Sequence, residues 1–581
     1  MLKNDLSKIV QKVVGQVFPD HADDPVEIEY PTDPTHGDYS CNSALRLAKK
    51  VGKNPREVAQ SIVAAFEKPD FIQTIEIAGP GFINFYVAPE YLVGNLRGIL
   101  SGASDYGQTS AGAKKKVMIE YSQPNTNKPM HIGHMRNNFL GMAVANLLGA
   151  NGYESIPVNY VGDIGIHIAK SMLGYEKWGR STSPESSDAK GDYFVGKFYK
   201  QFEKELQKVE GGDQELMEQA QEIVRKWEKE DPATRELWNK MNDWVYDGWT
   251  ESYERQGCRF EHYFYESTYN DSGKEIAKEA LEKGIAERAE NGAIIAKLED
   301  HGYPDKVLLR GDGTSIYATK DLKLAEENFA EFGLDGRIYV VASQQKLYLE
   351  QVFKILELLG YEYASRCFHL AYGVVGLPDG MMSSRKGNVI YADDLMNEVH
   401  NLAYEQVKKR NTDKDEKWLH KTAELITVGA LKYAILKIDP TQNITYDPKE
   451  SVRFDGDTGP YLQYTHARIK SILRRTEDDN ELLNKPVSAE HLVEPEEIAL
   501  LRKLQLFPEV VASAMTEYRV NTIANYLHDL AALFNSFYTK HQVLDAPTPE
   551  KRIARLQLIA AVAQVLKNGL AILGIEAPER M

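Results

Sequence analysis

The sequence contains only three cysteines, Cys41, Cys258 and Cys367, and they lie far apart. This spacing excludes a disulfide framework and a zinc ribbon and favours a reducing compartment, so we expect a cytoplasmic protein. No apolar run approaches the roughly 20 residues that a bilayer crossing requires. The stretch Leu2–Val17 interrupts its apolar residues with Lys, Asp and Gln, unlike a signal peptide. We therefore expect no membrane association.

The sequence also contains fewer basic residues than acidic ones. The chain has 69 Lys and Arg against 85 Asp and Glu, a formal net charge of −16. Net charge governs nonspecific attraction to a polyanion, whereas specific binding requires only local basic surfaces. The acidic balance therefore neither supports nor excludes RNA as a partner.

What is present is the composition of a folded protein with several domains. Of 581 residues, 43% are hydrophobic and 27% charged, and this length exceeds that of a single core. The patterns predict a small α+β unit over about 1–110, an α/β region over about 111–440 and an all-helical unit over about 441–581. Within the second, the charged stretch of about 176–256 predicts a helical insertion. Residues 101–116, low in large apolar residues, are the expected linker.

The central region alternates short apolar runs with helical patterns, which is typical of a parallel, Rossmann-like sheet. Strands are predicted at 117–121, 156–161, 337–343 and 368–377, and a helix at Gln344–Leu359. The other predicted elements are helices at Leu2–Val17 and Ser43–Phe66, strands around Ile75 and over Phe82–Val87, and C-terminal helices with Asn521 as an N-cap and a stop near Gly574.

The first chemical motif lies in SQPNTNKPMHIGHMRNN, residues 122–138. A strand ends, a Pro-Asn loop follows, and His131-Ile132-Gly133-His134 opens a helix. Ligands of open parallel sheets bind at this edge, and a helix start offers N–H groups and a positive dipole end to phosphates. Gly133 lets a nucleotide approach the backbone, and the two imidazoles can donate to one phosphate. Chelation of a metal is the alternative, but a third ligand and a zincin glutamate are missing, so we expect no metal site.

The second motif is DGMMSSRKGNVI, residues 379–390, after a predicted strand. Its hydroxyls and amides can grip phosphate oxygens, and Arg385 and Lys386 can neutralise their charge. Taken alone, the segment fits a solvated basic turn equally well. Its position at the far end of the same α/β region favours a triphosphate-binding loop.

Together these motifs resemble the HIGH and KMSKS signatures of class I aminoacyl-tRNA synthetases. Longer sequence blocks, from the N-terminal unit to the final methionine, resemble the arginyl enzymes in particular. The blocks that carry this resemblance are YSQPNTNKPMHIGHMRNN, NYVGDIGIHIAK, GDGTSIYATKDL, YVVASQQ, GDTGPYLQYTHARI and GIEAPERM.

Two departures concern the ATP site. Gln123 stands where the family commonly has a small residue, and the second loop reads MMSSR, without either lysine of KMSKS. The resemblance implies that Lys128 supplies charge instead, and Lys386 is another candidate. Which cation serves the transition state therefore stays open. The implied phosphate and ATP contacts are His131, His134, Lys128, Arg385 and Lys386, with Gly133, Met382, Ser383 and Ser384.

The resemblance also implies an arginine pocket. By motif match its residues are Asn125, Glu266, Tyr317, Asp321 and Gln345. Carboxylates suit a guanidinium, whose fork geometry favours bidentate contact. Glu266 and Asp321 are expected to pair with it, Tyr317 to pack against it, and Asn125 and Gln345 to hold the α-amino and carboxylate groups.

The implied reaction joins L-arginine to its tRNA through arginyl-adenylate, with transfer to the terminal 2′-hydroxyl. Mg²⁺ is expected to arrive with ATP. RNA contacts are expected from the N-terminal unit, at the tRNA elbow, and from a basic strip in the helical unit, Arg468, Lys470, Arg474 and Arg475, which fits a solvated helix face equally well. By resemblance we expect a monomer.

Three alternatives remain at this stage. Another class I synthetase is the nearest, although Glu266 and Asp321 disfavour an apolar substrate. A small-molecule nucleotidyltransferase would not need the helical unit. A non-catalytic descendant of a synthetase is disfavoured by the intact histidines.

Overall fold

The computed structural model describes residues 2–31, 33–209, 212–269, 273–314, 316–376, 378, 389–476 and 485–581. Among the helices in these ranges, none is both long and apolar enough to span a bilayer.

The N-terminal unit is an antiparallel sheet with helices packed on it. Its strands run in the order β1-β2-β4-β3. The elements are α1 (Leu2–Val17), β1 (Ile28–Glu29), β2 (Tyr39–Cys41), α2 (Ser43–Val51), α3 (Pro55–Ala64), β3 (Ile72–Ala78), β4 (Phe82–Val87) and α4 (Pro89–Gly102). The predicted strands and first helix are confirmed. The predicted helical stretch 43–66 is two helices, because Gly52 ends α2 in the left-handed region and Pro55 starts α3.

The central region contains a parallel five-stranded sheet in the order β12-β11-β5-β6-β7. Its elements are β5 (Lys116–Glu120), α5 (Ile132–Ala150), β6 (Glu154–Val161), α6 (Ile166–Trp178), α7 (Gly191–Leu206), α8 (Gln214–Glu228), α9 (Pro232–Gln256), β7 (His262–Tyr265), α10 (Gly273–Glu282), β8 (Ala286–Arg288), β9 (Ile294–Ala296), β10 (Lys306–Leu309), α11 (Tyr317–Phe332), β11 (Gly336–Ala342), α12 (Lys346–Leu358) and β12 (Cys367–Tyr372). The strand order reverses between β5 and β11, the position where such sheets bind ligands.

Two further features interrupt this sheet. Helices α7, α8 and α9 lie between β6 and β7, and β8, β9 and β10 form a small antiparallel sheet between α10 and α11. The first occupies the stretch in which a helical insertion is predicted.

The remaining elements are almost all helical. They are β13 (Val375–Gly376), α13 (Ala392–Arg410), α14 (Glu416–Leu436), β14 (Ile444–Thr445), α15 (Pro448–Ser451), α16 (Gly459–Arg474), α17 (Pro495–Ala514), α18 (Asn521–Lys540) and α19 (Pro549–Ile572). Residues 444–445 pair with β13, so the expectation of helix alone beyond 441 is wrong there. The N-cap of α18 is Val520, which corrects the expectation for Asn521.

Helix α5 is the centre of the molecule. It is buried on nearly all sides and has no separate polar face, although Arg136, Asn137 and Asn138 are buried with its apolar residues. Its C-terminal half meets the end of α19: Asn146 Nδ2 donates to the carbonyl oxygens of Ala571 and Ile572, at 3.3 and 3.2 Å. Nearby, buried Lys432 of α14 donates to the Gly574 carbonyl at 2.6 Å. The helical unit therefore holds the helix that begins with the histidine motif.

Candidate active site

The two motif histidines form the start of α5. His131 is the N-cap; its Nδ1 accepts from the Gly133 amide at 3.1 Å, while its own amide donates to His134 Nδ1 at 3.1 Å. The rings stack with centroids 3.9 Å apart. Because each Nδ1 accepts a backbone N–H, the proton of each neutral imidazole sits on Nε2. The pair therefore presents two Nε2–H donors.

Both imidazoles are held neutral. Burial, helped by the nearby charge of Lys128, lowers the pKa of His131 to about 4. Burial lowers the pKa of His134 well below its usual value, and His131 and Lys128 add to the effect. At neutral pH the histidines are thus hydrogen-bond donors without a full charge.

The first amides of α5 are used within the protein. The Ile132 amide donates to the Ile390 carbonyl at 3.1 Å, and that of Gly133 to His131. The expectation of free N–H groups at this helix start is wrong for these two residues. The requirement for glycine has a further reason, since a Cβ at Gly133 would lie 2.9 Å from His131 Cε1. Glycine leaves room for the imidazole in its stacked position.

Lys128 lies in the loop before the histidines. Burial lowers the pKa of its ammonium, and within the described ranges it makes no ion pair. Without a counter-ion there, and with the imidazole N–H donors of His131 and His134 close by, Lys128 favours the binding of an anion.

Of the second motif, Met382, Ser383, Ser384, Arg385 and Lys386 lie outside the described residues. The residues that follow it are attached to the histidine motif. Ile390 accepts from the Ile132 amide, and Ala392 donates to the Met130 carbonyl at 2.9 Å. Tyr391 forms an antiparallel bridge with His131. The chain after the second motif is therefore anchored at the start of α5.

The predicted arginine-binding acids lie at the same edge of the sheet. Glu266 is buried directly after β7, and its Oε1 accepts from Lys320 Nζ at 2.9 Å. Burial raises the pKa of Glu266, and Lys320 opposes that rise. Asp321 accepts from Tyr348 at 2.5 Å. Burial raises the pKa of Asp321 to about 7, because the Tyr348 hydrogen bond only partly offsets it. This region is acidic enough to favour a cationic ligand.

Of the other three predicted contacts, Asn125 lies beside Glu266. A Cβ on Gly162 would lie 2.1 Å from Asn125 Oδ1 and 3.6 Å from Glu266 Oε2, so both side chains meet above this glycine. Tyr317, the first residue of α11, is 61% exposed. Gln345 is exposed just after β11.

Several polar residues near this cluster were missed by the sequence analysis. Lys320 pairs with Glu266. Asp163 accepts from the amide and hydroxyl of Ser267, at 2.8 and 2.6 Å, and so fixes the residue next to Glu266. Tyr160 has a buried hydroxyl without a hydrogen-bond partner among the described residues. The motif blocks contain these residues, but no spacing in the sequence indicates their partners.

Gln123 belongs to a buried network below the cluster. Its side chain donates to Glu120 Oε1 at 2.8 Å, and the other oxygen of Glu120 pairs with Arg337. Gln123 and Ser122 both adopt positive φ values, 51° and 81°. Gln123, which is larger than the residue the family commonly has at this position, thus has Glu120 as a specific hydrogen-bond acceptor.

The predicted RNA strip lies apart from these groups, along α16. Arg468 donates to Asn535 at 2.9 Å, Lys470 lies 3.3 Å from Glu579, and Arg474 donates to the Glu579 carbonyl at 2.8 Å. Arg475, just after the helix, is exposed. Two of these four residues therefore already hold the 574–581 segment.

Within the ranges that the structure covers, no group of three or more His, Cys, Asp or Glu side chains is placed to hold a metal ion.

A helix-start histidine pair at the ligand-binding edge of a parallel sheet, with a long helical unit attached, is the arrangement of a class I aminoacyl-tRNA synthetase. The model "tRNA synthetases class I (R), catalytic domain" matches residues 95–447. "Arginyl tRNA synthetase N terminal domain" matches 1–87, and "DALR anticodon binding domain" matches 462–581. The chain belongs to the arginyl-tRNA synthetase family.

Relatives agree over nearly the whole chain. The arginine–tRNA ligase of Phocaeicola vulgatus is 39% identical over 564 residues, 92% of each chain. That of Porphyromonas gingivalis is 37% identical over 584 residues, 96% of this chain and 98% of its own. Among solved structures, arginyl-tRNA synthetase from Thermus thermophilus matches with a TM-score of 0.81 and 25% identity over all of both chains. The predicted family, fold class and ligase activity are confirmed, and ATP, arginine and tRNA follow as substrates.

Proposed function

We propose that the Nε2–H groups of His131 and His134, together with Lys128, hold the ATP phosphates during arginyl-adenylate formation. The observation that carries this proposal is the paired Nδ1 acceptance of backbone amides, which leaves two aligned donors at one helix start. The arginine carboxylate attacks the α-phosphate and pyrophosphate leaves. Neutral donors beside a lysine stabilise the charge that develops on the phosphate oxygens.

We propose that Asn125, Glu266, Tyr317, Asp321 and Gln345 bind arginine. Support comes from the half-buried carboxyl of Asp321, which has no ion-pair partner among the described residues, and from the raised pKa that burial gives it. Glu266 offers its Oε2, since Oε1 already accepts from Lys320. The guanidinium would then lie between two carboxylates rather than pairing with one.

Several further assignments are proposed with the site. Gly133, Met382, Ser383 and Ser384 complete the ATP contacts, and Arg385 and Lys386 neutralise phosphate charge. Mg²⁺ comes bound to ATP. Arg468, Lys470, Arg474 and Arg475 contact tRNA, as does the N-terminal unit. We retain the division at about 1–110, 111–440 and 441–581, with the insertion at about 176–256, and a cytoplasmic monomer.

ATP–pyrophosphate exchange with arginine and tRNA present tests the phosphate contacts. The variants are His134→Asn, Lys128→Met, Arg385→Met and Lys386→Met, with Lys208→Met as an exposed control in the insertion. The exchange rate is expected to fall at least tenfold for His134→Asn and Lys128→Met, with an unchanged KM for arginine. Unchanged rates in both would contradict the proposal, and the relative losses at positions 385 and 386 show which cation assists.

A further inference from the structure

The hydroxyl of Tyr160 is buried without a partner. This residue lies near the end of β6, and its hydroxyl has almost no accessible surface and makes no hydrogen bond to any described residue. Buried polar groups in proteins are nearly always hydrogen-bonded, because losing contact with water is otherwise unfavourable. An unpaired hydroxyl beside a substrate pocket therefore indicates a ligand contact.

The strand geometry directs this side chain towards the proposed arginine pocket. Side chains two residues apart on a strand share a face. Val158 belongs to the same buried cluster as Phe329 of α11, and Gly162 lies under Asn125 Oδ1 and Glu266 Oε2. Tyr160 lies between them, with its ring edge-on to Tyr269 at 6.5 Å.

Its surroundings are acidic. Burial raises the pKa of Tyr160 well above its usual value, and the charges of Asp321 and Glu266 add to this effect. The hydroxyl therefore keeps its proton and lies within the field of both carboxylates.

The two carboxylates leave few free acceptors. Lys320 occupies Glu266 Oε1, and Tyr348 occupies Asp321 Oδ2. One oxygen of each remains, whereas a guanidinium has five N–H donors in a plane. A third acceptor near both carboxylates would take a further N–H.

We propose that the Tyr160 hydroxyl is this third contact: its oxygen accepts an N–H of the substrate guanidinium. This inference rests on the proposed assignment of Glu266 and Asp321. It explains selectivity, since a lysine ammonium, a compact charge, cannot reach acceptors spread along a planar fork.

Tyr160→Phe removes one atom and tests the contact in the full chain. In aminoacylation with ATP and tRNA, the KM for arginine is expected to rise about 5- to 10-fold. The KM values for ATP and tRNA should not change, and the thermal midpoint should stay the same or rise. Tyr363→Phe is the matched control, because its hydroxyl is also buried and unpaired within the described chain but lies beside Phe329 and Tyr361.

Asp321→Asn, measured in parallel, distinguishes failure of the Tyr160 contact from failure of the proposed arginine pocket. If it raises the arginine KM and Tyr160→Phe does not, the hydroxyl contact is wrong and the pocket stands. If neither variant changes this KM, the pocket assignment is wrong as well. A thermal midpoint lowered by Tyr160→Phe would show a structural partner for the hydroxyl and would also overturn the contact.

Discussion

The proposed arginine contact Asp321 predicts a pH dependence of arginine recognition. With a pKa of about 7, this carboxyl is largely protonated below neutrality and cannot then balance a guanidinium. We expect kcat/KM for arginine to fall about tenfold per pH unit below pH 7, while the KM for ATP stays constant. Aminoacylation measured from pH 5.5 to 8 checks this.

The matched variant for this profile is Asp321→Asn. It removes the titrating group, so its lower kcat/KM should be independent of pH over the same range. A wild-type profile that is flat from pH 6 to 8 would contradict the assignment.

Some candidate site residues could be predicted from the sequence, and others could not. The histidines and Gly133 lie within four consecutive positions, so the proposal of a joint role could be made from local spacing. Lys320 meets Glu266 across 54 residues, and no local pattern encodes that pair. Tyr160 was missed for a similar reason, because an unpaired hydroxyl is defined only by what surrounds it.

Among the elements, α5 depends on one buried arginine. Arg136 donates to the carbonyls of Gly373 and Pro440, at 2.7 and 2.9 Å, and also to those of Val374 and Gln442. Arg136→Lys keeps the charge but loses the fork, leaving buried carbonyls without donors. We expect a loss of about 3 kcal/mol in stability and a thermal midpoint several degrees lower.

Calorimetry of the whole chain measures this effect. Arg46→Lys, at an exposed ion pair with Glu27, should leave the midpoint unchanged. Equal midpoints for Arg136→Lys and wild type would show that a single ammonium satisfies the same carbonyls.

Helices and strands with a strong hydrophobic period were predictable from the sequence. The exact start of a helix and a two-residue strand were not. The apolar runs of β5, β6 and β11, and the helices that follow β5 and β11, lie close to where the sequence places them. Asn521 fails as an N-cap because the helix starts one residue earlier, with Val520 buried at 1% exposure. The two-residue β14 depends on pairing with β13, about 70 residues earlier, which local patterns do not encode.

For the molecule as a whole, Glu509 joins the N-terminal unit to the helical unit. This buried carboxylate accepts from the Lys3 amide at 2.8 Å and from Tyr30 and Tyr39. Glu509→Ala would leave three donors unpaired and loosen the N-terminal unit. We expect the KM for tRNA to rise about 5- to 10-fold, with unchanged KM values for arginine and ATP.

Filter-bound aminoacylation over a range of tRNA concentrations provides this comparison. Asp529→Ala, at an exposed ion pair with Lys503, is the control. If Glu509→Ala raised the KM for arginine instead, the N-terminal unit would act on the pocket rather than on tRNA.

The contact between α5 and the end of α19 also concerns the order of synthesis. Asn146 and its acceptor Ala571 are separated by 425 residues, so on the ribosome α5 emerges long before its partner exists. A nascent chain can build the parallel sheet, but this side of the helix stays uncovered until translation has passed Gly574. A shorter product would carry the histidine motif and still lack these contacts of α5 with the end of α19. Synthesis as far as Gly574 is thus a condition for these contacts with α5 and α14.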